Sequence, residues 1–186
     1  MKIEKRDSAR YPLKVTLSTG ESLVIPRQSK FHDEWLRHHG CSLVAEYIAL
    51  QFLGVRKIQI DGRRRGIYPI NLLKWHKIHT PDEIFSKVTL RGVAEGINRL
   101  AWKGSAHYYK SVNADRIERS LKAGHPVILG QKNPIHSVIL LPDVDGVYMA
   151  SHGRVTRVNI GKIAKTATTN KRYRGMVSVM REREGE

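Results

Sequence analysis

The sequence predicts an α+β domain in which a helical first half is followed by an antiparallel sheet. Residues 41 to 53 carry apolar side chains at helical spacing between Gly40 and Gly54, which predicts a buried helix. Three short apolar runs follow residue 126, and the last two are joined by a turn sequence, Pro142-Asp-Val-Asp-Gly146. A chain of 186 residues, of which 40% are hydrophobic, is long enough for one such domain with its own core.

The N-terminal part is predicted to contain a hairpin, a loop and then the helix. Residues 11 to 26 alternate apolar and polar side chains around Ser18-Thr19-Gly20, so we interpret residues 1–26 as a hairpin appendage and residues 27–186 as the main domain. Residues 27 to 40 are polar and predict a loop with one short helix. Asp61-Gly62 and the three arginines after it predict a turn or loop.

The remaining elements complete the helical half and the sheet. Residues 69–79 and 81–103 predict one or two helices, and residues 113–124 predict a helix that Asn113 caps and Gly124 ends. The predicted strands are 126–130, 135–141, 147–150, 155–160 and 176–180, with a basic loop at 161–175.

The chain is strongly basic, with 33 Lys and Arg against 17 Asp and Glu, a net charge of +16. This charge favours weak, non-specific binding of polyanions such as nucleic acid. The sequence has no run of about 18 apolar residues, so no membrane span is expected. It also has no secretory signal, so the sequence fits a cytoplasmic protein or a trimmed secreted one, and it leaves the oligomeric state open.

Cys41 is the single cysteine of the chain, and it falls in the first turn of the predicted helix. The thiolate form of a cysteine is favoured at a helix start, because the helix dipole is positive there. A nucleophilic cysteine also needs an imidazole within hydrogen-bond reach, and His136 at the start of a predicted strand can supply it. From these patterns alone, packing roles for both residues stay open, because cysteine is among the most buried residue types.

Three segments of the chain carry a further pattern in a fixed order. They are His39-Gly-Cys-Ser-Leu-Val-Ala45, Ile117-Glu-Arg-Ser-Leu-Lys-Ala-Gly-His-Pro-Val-Ile-Leu129 and His136-Ser-Val-Ile-Leu140. Together they resemble the bacterial papain-like peptidases that process bacteriocins with double-glycine leaders, and the resemblance spans residues 25 to 160. In that family a Gly-Cys pair opens the first helix and a histidine begins the strand after a Gly-His-Pro-Val-Ile-like entry. The chain is more distantly similar to cell-wall peptidases of the NlpC type.

This resemblance implies a papain-like fold and hydrolysis of a peptide bond through a thioester, with a peptide or protein substrate and no cofactor. It makes Cys41 the nucleophile and His136 the general base and acid. The implied oxyanion donors are Gln28 and the backbone N–H of Cys41. The family has an aspartate that orients the imidazole, whereas this chain has Ser151 and His152 at that place.

The predicted hairpin after His136 suggests which of these two residues takes the orienting role. Counting from the turn, Leu141 pairs with Val147, which brings residues 151 and 152 beside His136. We favour His152 because its side chain is longer, with Ser151 holding a bridging water as the alternative.

Three other interpretations stay open at this point. The chain resembles an active peptidase but also fits a catalytically inactive relative that binds peptides. A nucleic-acid-binding protein would use Arg63 to Arg65 and Lys171-Arg-Tyr-Arg174, although no known recognition motif is present. A metal site would use His38, His39 and Cys41, or His76 and His79 at helical spacing. No metal is expected, because a fourth ligand and an HExxH motif are both missing.

Overall fold

The computed structural model describes residues 1–4, 12–85, 87–102, 104–132, 136–151, 153–169 and 173–181. Its strands are β1 (Lys2–Glu4), β2 (Leu13–Thr16), β3 (Ser22–Ile25), β4 (Lys57–Ile60), β5 (Arg63–Gly66), β6 (Gly104–Tyr109), β7 (Val127–Gln131), β8 (His136–Asp143), β9 (Gly146–Ser151), β10 (Arg154–Val158) and β11 (Tyr173–Arg181). Its α-helices are α1 (Glu34–His39), α2 (Cys41–Phe52), α3 (Pro69–His79), α4 (Leu90–Leu100), α5 (Ala114–Lys122) and α6 (Ile160–Thr169), and short 3-10 helices lie at Gln28–Lys30 and Pro81–Glu83. The predicted α+β class is confirmed.

The largest unit is a six-stranded antiparallel sheet with the strand order β10-β9-β8-β7-β11-β6. The three apolar runs predicted after residue 126 are its strands β7, β8 and β9. The last strand, β11, lies between β7 and β6 and pairs with both of them. The C-terminal segment therefore joins the first strand of this sheet to the others.

Helices cover both faces of the six-stranded sheet. One face carries Ile128, Ile139 and Val177 into the main core, where α2 and α4 pack. The other face carries Val138 and Met176 into a second core with α5 and α6. Because successive side chains of a strand point to opposite faces, the register of each strand decides which core a residue enters.

The predicted N-terminal hairpin is present as β2 and β3, which form a small sheet with β1. Its residues Val15 and Leu23 are fully buried in the same core as α2. The side chain of Gln51 in α2 accepts from the N–H of Val24 at 2.9 Å and donates to its carbonyl at 3.0 Å. The described parts of this segment, residues 1–4 and 12–26, therefore pack into the same core as α2.

Arg63 to Arg65 form the strand β5, so the loop predicted for them is wrong. This strand pairs with β4, with Ile60 opposite Arg63 and Ile58 opposite Arg65. The turn between the strands is Asp61-Gly62, with φ of 50° and 71°. An Asp-Gly pair suits a two-residue hairpin turn because both central residues need positive φ.

Two other predicted segments also differ. Within residues 81–103 the α-helix is α4, which begins at Leu90 because the side chain of Thr89 accepts from the N–H of Gly92, and the 3-10 helix Pro81–Glu83 lies before it. The basic segment predicted as a loop contains α6. The start of α5 is as predicted, with Asn113 accepting a hydrogen bond from the N–H of Arg116.

Over the described ranges, none of the helices has both the length and the apolar character needed to cross a bilayer.

Candidate active site

Cys41 begins α2 directly after α1, with one glycine between the two helices. The N–H of Gly40 donates to the carbonyl of Leu36 at 2.9 Å, and its own carbonyl accepts from the N–H of Val44 at 2.9 Å. A Cβ at position 40 would overlap the carbonyl oxygen of Leu36, so only glycine fits this junction. Cys41 therefore lies in the first turn of a 12-residue helix, as predicted, with only 5% of its surface exposed.

A pair of serines fixes where α2 meets the sheet. The Oγ atoms of Ser42 and Ser137 lie 3.2 Å apart, and both side chains are buried. Ser42 follows Cys41 and Ser137 follows His136, so the two predicted catalytic residues occupy the same end of the contact between α2 and β8. We call Cys41, Ser42, His136, Ser137 and Ser151 the junction cluster.

The imidazole of His136 is held by the next strand of the sheet. Its Nε2 lies 2.7 Å from Oγ of Ser151 at the end of β9. The predicted closeness of these two residues is confirmed, although the register is one residue off, because Leu141 pairs with Tyr148. The turn is shorter than expected, with Asp143 opposite Gly146. His152, the favoured third residue, lies outside the described residues.

Strand alternation decides which face of the sheet the imidazole of His136 takes. Ser137 points to the face of the sheet that α2 covers. Because successive side chains alternate, His136 and Val138 point to the other face, where Ser151 also lies. Across the described residues, no hydrogen bond joins Sγ of Cys41 to the ring of His136. The structure brings His136 and Ser151 together, and it places Cys41 and His136 each next to one serine of the Ser42–Ser137 contact.

Gln28 lies in the short 3-10 helix beside α1 and is buried. Its Nε2 donates to the carbonyl of Arg37 in α1 at 3.2 Å, which leaves a second N–H on the same nitrogen. The neighbouring Arg27 packs against Gly153, where an added Cβ would lie 3.0 Å from the Cα of Arg27. The segment of Gln28 therefore contacts both α1 and the chain that follows β9.

The histidines considered as metal ligands have separate environments. His38 and His39 are exposed in the last turn of α1. His79 is exposed and stacks on Trp75, whereas His76 is fully buried and both of its ring nitrogens are hydrogen-bonded. In the ranges described, no group of three or more His, Cys, Asp or Glu side chains is arranged to hold a metal ion.

A second polar cluster lies at the middle of α2 and was missed by the sequence analysis. Nε2 of His76 in α3 lies 2.7 Å from Oε2 of Glu46, and Nδ1 lies 2.7 Å from Oγ1 of Thr80. We call these three residues the buried triad. Burial raises the pKa of Glu46, and His76 partly opposes that shift. Oε1 of Glu46 has no hydrogen-bond partner in the described part of the chain, and it lies against Gly96 of α4.

The comparisons with known proteins leave these geometric observations as the basis for function. No protein-family model matches the chain, and searches of curated proteins and of solved structures found no significant similarity.

Proposed function

We propose that this chain is a papain-like cysteine peptidase that hydrolyses an amide bond of a peptide or protein. The observation that carries the proposal is the 3.2 Å contact between Ser42 and Ser137, because it puts Cys41 and His136 at one end of the same helix–sheet contact. The hydrogen bond from His136 to Ser151 adds an orienting group for the imidazole. The order of the three segments that resemble the peptidase family supports the same assignment.

The reaction proceeds in two steps. His136 takes the thiol proton as Sγ of Cys41 attacks the carbonyl carbon, and the oxyanion is stabilised by the backbone N–H of Cys41 and the second N–H of Gln28. The C–N bond then breaks, His136 gives its proton to the leaving amine, and a thioester remains. Water attacks this thioester as His136 takes a proton, which releases the carboxylate product and returns the thiol.

This chemistry requires Nδ1 of His136 to reach Sγ of Cys41 while Nε2 keeps its hydrogen bond to Ser151.

The first experiment measures hydrolysis of a mixed peptide library by mass spectrometry. Cys41→Ala and His136→Ala are each expected to lower the rate about a thousandfold or more, and the double variant little further, because the two residues act as one unit. His107→Ala removes an exposed histidine of β6 and serves as the control. Full activity in Cys41→Ala would contradict the proposal.

The orienting role is tested in the same assay. Ser151→Ala is expected to lower activity less than His136→Ala, because the acid–base group itself remains. An activity unchanged by Ser151→Ala would assign the orienting role elsewhere, and His152→Ala tests the residue that the sequence favours.

A catalytically inactive, peptide-binding relative is the second candidate. It is favoured by the burial of the thiol and by the position of the imidazole on the other face of the sheet. Iodoacetamide labelling near pH 6.5 separates the two candidates. A peptidase predicts faster labelling of native than of denatured protein, with a loss of that advantage in His136→Ala. Slow native labelling that His136→Ala leaves unchanged predicts the inactive relative.

A further inference from the structure

The hairpin of β4 and β5 presents an unusual density of positive charge. Arg63, Arg64 and Arg65 are consecutive and exposed. Lys74 of α3 lies across from them. Among the residues that the structure describes, these four cations form no ion pair. Their charge is therefore not neutralised within the described fold.

The register of the hairpin directs two of these arginines into a cleft. Arg63 and Arg65 lie opposite Ile60 and Ile58, so they share a face of the hairpin with side chains that are buried. A cleft of about 430 Å³ between this face and α3 is lined by Ile60, Asp61, Arg63, Arg65, Asn71 and Lys74. Three cations and one carboxylate line it, which leaves it positive.

An aromatic ring lies at the end of the same strand. Tyr68 is 62% exposed, and its ring rests on Gly66, where an added Cβ would lie 2.9 Å from Cε2. The ring also stacks on the buried Tyr47, with centroids 6.3 Å apart and an interplanar angle of 29°. Tyr68 is therefore an exposed ring supported by Tyr47. Because Gly66 alternates with Arg65, the ring lies toward the face of the hairpin opposite to the cleft, at the end of β5.

We propose that the cleft of Arg63, Arg65 and Lys74 binds single-stranded nucleic acid, which passes the end of β5 and stacks a base on Tyr68. Guanidinium and ammonium groups contact phosphates, and a supported ring stacks an unpaired base. A duplex keeps its bases stacked on one another, so the ring favours a single strand. The surface does not depend on Cys41 or His136, and its test is independent of the peptidase assay.

The test measures binding of a fluorescent oligothymidylate by anisotropy at several salt concentrations. The double variant Arg63→Gln/Arg65→Gln is expected to bind about tenfold more weakly near 0.1 M salt. The slope of log affinity against log salt is expected to fall by about 1.4, because two phosphate contacts are lost at about 0.7 each. The control Arg119→Gln/Arg154→Gln removes two exposed arginines elsewhere and is expected to change affinity less than about twofold.

A second variant tests the stacking step. Tyr68→Ala is expected to weaken binding about tenfold, and Tyr68→Phe is expected to retain it. Thermal unfolding of each variant checks that it is folded. Equal loss in the arginine control, equal affinity for a duplex of the same length, or binding only to anionic phosphatidylserine vesicles would each overturn the proposal, as would no binding of the oligothymidylate.

Discussion

Two polar clusters include side chains of the same helix, α2, and they differ in what surrounds them. The junction cluster lies at the first turn of α2 and at the neighbouring ends of β8 and β9. The buried triad lies one and a half turns later, enclosed by α3 and α4, with Glu46 and His76 fully buried. Polar groups deep in a core must satisfy one another, whereas groups at a helix end can exchange partners with a substrate. We therefore expect stability to depend on the triad, whereas the proposed peptidase chemistry would take place at the junction cluster.

The largest loss of stability is expected when a residue of the buried triad is removed. His76→Ala leaves the carboxylate of Glu46 without its partner and opens a cavity, so the free energy of unfolding is expected to fall by about 3–5 kcal/mol. His79→Ala, three residues further along α3, removes an exposed ring and is expected to cost less than about 1 kcal/mol. Urea unfolding of both variants measures the difference. Equal costs would contradict the structural role given to His76.

A smaller loss of stability is expected when an extra methyl group is forced against the triad. The methyl group of Gly96→Ala would overlap Oε1 of Glu46 and lie 3.0 Å from Cε1 of His76. We expect a cost of about 1–3 kcal/mol. Gly161→Ala in α6 meets only Asn159, at 3.4 Å, and is expected to be neutral or slightly stabilising. If Gly96→Ala matches Gly161→Ala in urea unfolding, α4 packs less tightly than described.

The pH dependence of stability sharpens the comparison further. Because burial raises the pKa of Glu46 above 4.5, the folded chain keeps this proton at pH values where the unfolded chain has lost it. The free energy of unfolding therefore falls as the pH rises above about 4.5, and the decline ends above the raised pKa. Glu46→Gln cannot titrate, so its stability relative to the natural chain should increase across this window.

Urea unfolding at several pH values from about 4 to 7 measures this difference. Glu34→Gln changes an exposed glutamate of α1 and is measured beside it as the control. A difference for Glu46→Gln that does not change with pH would mean that burial does not shift this carboxyl.

The smallest expected effect concerns the junction cluster. Ser42→Ala and Ser137→Ala each remove one partner of the 3.2 Å contact, so each is expected to cost about 1 kcal/mol. The double variant should cost less than the sum, with a coupling of about 0.5–1.5 kcal/mol. Independent effects of the two serines would remove the observation on which the peptidase proposal rests.

Much of the fold follows from local sequence patterns. Gly40 and Gly54 bracket α2, and Asn113 and Gly124 bracket α5, because capping and apolar spacing act within a few residues. The strand β5 was not predicted because its exposed arginines show no alternation of apolar and polar residues, although Asp61-Gly62 indicated the turn before it. The helix α6 was not predicted because its threonines and basic residues suggested a loop, although Ile160, Ile163 and Ala164 have helical spacing.

The candidate site was predictable in its members but not in its geometry. Cys41 at the helix start and Ser151 near His136 follow from element boundaries and from one hairpin. Which face His136 takes depends on a single residue of register, and nothing local in the sequence determines that register. Glu46 and His76 are 30 positions apart in the chain and lie on different helices, so only tertiary packing reveals their pairing.

The position of β11 between β7 and β6 has a consequence for folding during synthesis on the ribosome. Translation delivers residues 104–131 long before residues 173–181, so both neighbouring strands wait with unpaired backbone groups along one edge. Exposed strand edges recruit other chains, and nascent domains are vulnerable while such edges persist. The last strand of the sheet to be synthesised is thus the one that joins β6 to the rest, and its pairing ends the interval in which these two edges are exposed.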